Sequence, residues 1–133
     1  MGIELPPEYQ PSGDEEFMNS RQVAYFGQRL EESRADLLKE LAAAQPSEAD
    51  DSSRVGDRTD HASAESEREF MIQNRERIHM LLRQTERALA RLENGSYGYC
   101  EDTGEPIGLK RLMAQPTTSL SLAAQEARER RSG

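Results

Sequence analysis

The sequence is poor in the residues from which a large core is built. It contains no Trp, three Phe and four Tyr among 133 residues, so 5% is aromatic and only 35% hydrophobic. With a mean hydropathy of −0.89, that excludes a big globular enzyme fold. The single cysteine, Cys100, excludes an internal disulfide. Apolar runs never approach the roughly 18 residues that a membrane span requires. The opening stretch, MGIELPPEYQPSGDEEF, has neither the basic segment nor the apolar segment of a signal peptide, and Pro6 stands where a myristoylation signal wants Ser or Thr. A soluble, cytoplasmic protein without a membrane role is expected. Positive charge is scarce in one half: residues 1–69 hold 17 acids against 7 bases, while residues 70–133 hold 8 against 10, for a net −8. Grip on a phosphate backbone is disfavoured, because it comes from Lys and Arg, and a partner with a positive surface fits better.

What is present is helical periodicity. Residues 1–18, with Pro6, Pro7, Pro11 and Gly13 among acids, read as an irregular arm. Asn19 followed by Gln22 forms an N-cap and capping-box signal, and Val23, Phe26, Leu30, Leu37 and Leu41 follow at helical spacing, predicting a first helix through residue 44. Pro46 ends or kinks it. SEADDSSRVGDRTD at 47–60 is small, polar and acidic, with Gly56 as the reversal point. A second helix is predicted over 59–93. Met71, Ile78, Thr85 and Leu92 recur every seven residues, with Asn74, Leu81 and Ala88 three further on, which is a seam for a partner helix. Gly95 supplies the stop. Ser20 to Gly56 and Gly56 to Leu92 are both 36 steps, so the arms match as an antiparallel coiled-coil hairpin of about 50 Å. A compact bundle would need further long helices, and only 95–133 remain.

At the tip near 55–62, Asp57 and Asp60 lie three apart at a helix start. Such acids cap a helix and complement its dipole; as a Mg²⁺ site two carboxylates alone are weak, and an exposed His61 has no enclosed pocket to tune it. In the last segment, Cys100 and Thr103 have the turn length of CxxC, and 17 residues later come Ser121 and, three on, Ala124. These are four positions of a zinc knuckle with one cysteine left. One thiolate, two neutral hydroxyls and a methyl do not form a tetrahedral zinc site, so zinc is not expected and packing must hold the globule. Tyr97, Tyr99, Ile107, Leu109, Leu112, Leu120 and Leu122 are its candidate core. Cys100 reads as a small buried residue, and a final helix is predicted over 118–130. The fold class is mainly α: irregular arm 1–18, hairpin 19–94, and a small knuckle-like region with a C-terminal helix over 95–133.

EEFMN at 15–19, QVAYF at 22–26, DRTDHA at 57–62, NRER at 74–77, GSYGYC at 95–100 and IGLKRLMAQPT at 107–117 together make the chain resemble the DksA/TraR family of RNA polymerase regulators, its longer members most closely. The resemblance implies direct binding of a monomer to bacterial RNA polymerase rather than sequence-specific DNA binding. It implies that the hairpin enters the secondary channel and that Asp57, Asp60 and Ala62 act near the polymerase active site. Repression of ribosomal RNA promoters and support of amino-acid biosynthesis promoters follow as the family expectation. Thr103, Ser121 and Ala124 resemble the low-cysteine, zinc-independent variants of the family. The family's ppGpp pocket falls on Gln84, Gln115 and Gln125, where glutamine keeps hydrogen bonding but drops the cation that phosphate favours. The resemblance thus implies ppGpp as an effector with weakened synergy, with Arg83, Lys110 and Arg128 close in sequence as substitutes.

Two other readings share parts of this pattern. A transcript-cleavage factor also presents tip acids through that channel, using them to hold catalytic Mg²⁺. A coiled-coil adaptor for another protein would use the tip acids only as caps.

Overall fold

The capping signal at Asn19 operates as its spacing implies. Asn19 Oδ1 accepts the Gln22 N–H at 3.0 Å, and Gln22 Oε1 reaches back to the Met18 N–H at 2.8 Å, one residue earlier than the usual reciprocal bond. Met18 has a positive φ of 56°, which turns its N–H toward Gln22. Helix α1 (Ser20–Ala43) follows, then α2 (His61–Asn94), α3 (Leu109–Ala114) and α4 (Leu122–Ser132). The structure is a computed structural model that describes residues 3–44 and 61–132. Pro46, Gly56 and the proposed reversal lie outside the described residues.

Helix α2 stops where Gly95 takes a φ of 85° and the Ser96 N–H bonds back to the Arg91 carbonyl at 3.0 Å, a left-handed terminus that glycine forms without strain. Burial along α2 follows the expected seam. Ile78, Thr85 and Ala88 are buried, and Met71, Asn74, Leu81 and Leu92 are half-buried. Leu82, outside the seven-residue pattern, is more deeply buried than Leu81. Leu82 follows Ile78 by four residues, so the two lie on the same face of the helix.

The chain divides into two compact units, Met1–Ser33 with Gln84–Gly133, and Arg34–Arg83. The second holds the latter part of α1, with Leu37 and Leu41 half-buried, and the first two-thirds of α2. In the first unit the roots of α1 and α2 join the C-terminal region in one core: Phe26 and Leu30 from α1, Ala88 from α2, then Tyr97 and Leu112. A Cβ on Gly27 would sit 3.7 Å from Leu92 Cδ1, so the two helix roots lie side by side.

That shared core corrects the expected one. Tyr97 and Leu112 are buried and Ile107, Leu109 and Leu120 half-buried, but Tyr99 and Leu122 are exposed. Tyr99 lies edge-on to Phe17 at 5.6 Å instead. The segment before α1 is packed as well. Tyr9 stacks edge-on to Tyr25, and its hydroxyl donates to Glu15 at 2.8 Å, whose Oε1 also accepts from Gln22 Nε2 at 3.2 Å. The hydrogen bond from Gln22, then that from Tyr9, holds the Glu15 carboxyl below its ordinary range. Burial, then the bond to Glu15, pushes the Tyr9 phenol up to about 12. The final helix begins at Leu122 rather than 118, because Ser121 Oγ accepts the Ala124 N–H at 3.1 Å and acts as its cap.

Candidate functional site

The knuckle closes although only one of its four positions is cysteine. After α2 the chain doubles back: the Ile107 N–H donates to the Gly98 carbonyl at 2.7 Å, the Cys100 N–H to Glu105 at 2.8 Å, and the Gly104 N–H to Cys100 at 2.8 Å. Tyr99 and Pro106 form an isolated antiparallel bridge. Gly98 is required here: its φ is 94°, and a Cβ would meet Met18 Cγ at 2.9 Å and Phe17 Cζ at 3.3 Å. The Glu101 N–H then donates to the Ser119 carbonyl at 2.8 Å, tying this turn to the segment before α4.

Three of the four knuckle positions meet around the sulfur. Cys100 is 3% exposed. Burial alone pushes its thiol up, but donors from the Ser121 and Thr103 backbone and hydroxyls outweigh that and lower it from 9.0 to about 6. Ala124 occupies the fourth position with a buried methyl group, and its N–H donates to Ser121 Oγ. Thr103 Oγ1 also accepts the Glu105 N–H at 3.2 Å. One sulfur, two neutral hydroxyls already engaged and a methyl do not suit zinc, which takes four charged or strongly basic donors. Among the described residues no three His, Cys, Asp or Glu side chains gather where they would hold a metal ion. Beside the sulfur, Arg128 forks onto Asp102 at 2.8 and 2.5 Å. That bond holds the Asp102 carboxyl below its ordinary range and raises the Arg128 guanidinium.

Arginines anchor the segment around Pro116. Arg29 Nη1 donates to the Met113 carbonyl at 3.0 Å and Arg91 Nη2 to Thr117 at 3.1 Å. Arg111 Nε donates to Leu120 at 2.9 Å, and the Tyr97 hydroxyl to Pro116 at 2.8 Å. Burial lowers the Arg91 guanidinium and raises the Tyr97 phenol, in each case the leading cause. The roots of both long helices are thereby bolted to one loop. Arg29, Arg91 and Arg111 had no sequence signal, since the acceptors named here are backbone carbonyls distant in sequence.

The three glutamines have different surroundings. Gln84 is exposed on α2 and Gln115 is exposed at the end of α3. Gln125 accepts from Arg111 and donates to Glu129 at 3.1 Å. Among the described residues no hydrogen bond links the three. Lys110 is exposed, whereas Arg128 is engaged by Asp102. Asp57 and Asp60 lie outside the described residues, and Ala62 falls in the first turn of α2, where its side chain is not described. Among the described residues no helix is long and apolar enough to cross a membrane.

Comparison with known proteins bears on both halves. Residues 22–92 match the N-terminal domain of DnaK suppressor protein DksA, and residues 95–130 match the prokaryotic dksA/traR C4-type zinc finger. The chain is 44% identical over 124 residues to the RNA polymerase-binding transcription factor DksA of Caulobacter vibrioides (strain NA1000 / CB15N), covering 93% of this chain and 87% of that one. It is 35% identical over 114 residues to the protein of that name from Escherichia coli (strain K12), covering 86% and 76%. The solved structure of transcription factor DksA2 from Pseudomonas aeruginosa superposes with a TM-score of 0.79 at 36% identity, covering 92% of this chain and 93% of that one.

Proposed function

This chain belongs to the DksA/TraR family, and from that premise we propose that it binds bacterial RNA polymerase directly and regulates transcription initiation, with no chemistry of its own. The observation that carries the reading is the match of both halves in order, helices over 22–92 and knuckle over 95–130, supported by 44% identity to a factor named for binding the polymerase. The chain acts as a monomer in the cytoplasm, without a membrane or a DNA sequence as its target. It enters the secondary channel, and Asp57, Asp60 and Ala62 act near the active site. Binding promoter complexes of different stability unequally then shifts initiation.

Transcription from a ribosomal RNA promoter with purified polymerase tests this. The parent chain inhibits, and Asp60→Asn binds polymerase normally but no longer inhibits. If Asp60 is only a cap, the change costs about 1 kcal/mol or less of stability and inhibition persists, which overturns the tip assignment. Dinucleotide release from a backtracked complex would instead identify a cleavage factor. Zinc is not required in this reading, because the donor set does not suit it. Weakened ppGpp synergy is supported by neutral side chains at Gln84, Gln115 and Gln125 and by the engagement of Arg128 with Asp102. A ppGpp titration with a polymerase lacking its other ppGpp site checks this; undiminished synergy overturns it.

A further inference from the structure

The chain has seven aromatic residues, and six of them, Tyr9, Phe17, Tyr25, Phe26, Tyr97 and Tyr99, make ring contacts within the first unit. The seventh, Phe70, is 69% exposed on α2 in the second unit. Leu38, Ile72 and Met80 in that unit are also exposed, so four of the seven exposed large hydrophobics among the described residues belong to it. At about 100° per residue, Phe70, Gln73, Arg77 and Met80 share an arc of roughly 80° beside the buried seam. Ile78 and Leu82, on the neighbouring arc of the helix, are buried. Arg77 is ordered on this surface, its Nε and Nη2 donating to Asn74 Oδ1 at 3.3 and 3.1 Å. Exposed Glu69 and Glu76 border the stripe on the side away from the seam.

We propose that Phe70 is the apolar anchor of a docking surface on α2 and that its occupant is an apolar socket with a polar rim on RNA polymerase. This deepens the functional reading above and rests on it. An exposed aromatic ring on the same helix face as an arginine two turns further on, rimmed by polar and charged side chains, has the composition of an interface hot spot. Exposed Glu69 and Glu76 beside the stripe and Arg77 within it present charges of both signs, which suits a protein surface with complementary polar groups rather than a phosphate backbone. The stripe lies within residues 22–92, the segment matched to the family whose relatives are named for binding the polymerase.

The test measures affinity of the full chain for core RNA polymerase, alongside thermal unfolding. Phe70→Ala is expected to weaken binding by about tenfold or more, with the unfolding midpoint unchanged because the ring is outside the core. Phe70→Leu should keep most of the affinity. Leu122→Ala, at a 57% exposed position in the first unit, should bind as the parent does. Parent-like binding by Phe70→Ala overturns this inference alone, and failure of the parent to bind overturns the functional reading with it. A lowered unfolding midpoint would make Phe70 a packing residue, and a dimer of the parent that Phe70→Ala dissociates would make the occupant a second copy; either result overturns the assignment.

Discussion

Removing the hydroxyls around Cys100 is the most direct probe of how the knuckle holds without its other cysteines. With the thiol lowered to about 6, roughly nine-tenths of it is ionised at about pH 7, against about one-hundredth at its ordinary value. The ionised sulfur is held by the donors of Thr103 and Ser121, with Arg128 raised in part by the same charge. Because the folded pKa lies below the unfolded one, the unfolded chain binds more protons between the two values. Stability therefore rises from about pH 6 to about pH 9, is fully present above that, and loses this contribution as pH falls through about 6. Thiolate absorbance of the parent minus Cys100→Ser should show a midpoint near 6. Thr103→Val and Ser121→Ala should each raise it and flatten the pH dependence of the unfolding midpoint. A midpoint at or above 8.5 in the parent would refute the reasoning, since burial would then outweigh the donors.

Two further changes test the packing around the bolted loop. Leu112→Ala empties a fully buried position against Phe26, Leu30, Ala88 and Tyr97 and should cost about 2–5 kcal/mol, read as a loss of unfolding free energy in urea. Gly98→Ala forces a side chain into a positive φ against Met18 and Phe17 and should cost about 1–3 kcal/mol in the same measurement, whereas Gly13→Ala, with open space around it, should be close to neutral.

Local signals read correctly where the physics is local. Asn19 with Gln22, the stop at Gly95 and the seven-residue seam of α2 each depend on neighbours within a turn or two, and their sequence patterns located both ends of α1 and the end of α2 to within about one residue, while the expected start of α2 at residue 59 lies outside the described residues. Helix α3 escaped because six residues, LKRLMA, are too few for a 3.6-residue period to show. The Cys100, Thr103 and Ser121 convergence was legible from spacing, but its consequence was not. Whether a hydroxyl donates to sulfur or only fills space depends on the turn that Glu101 makes with Ser119.

The misplacement of Tyr99 and Leu122 has a broader physical reason. A segment of about forty residues that must build its own core would have to bury every apolar side chain it owns, and on that assumption both belonged inside. The core instead draws Phe26 and Leu30 from α1 and Ala88 from α2, which relieves the C-terminal region of that demand and lets Tyr99 turn outward onto Phe17. The same sharing explains how so few aromatics suffice: six rings concentrated in one unit do the packing, and the long helices beyond it rely on an aliphatic seam. Phe70 stands outside both arrangements, neither stacked with another ring nor turned into the seam. A ring this exposed gains little from folding, since hydrophobic stabilisation scales with the area removed from water. In the docking proposed for it, the ring is buried only on binding.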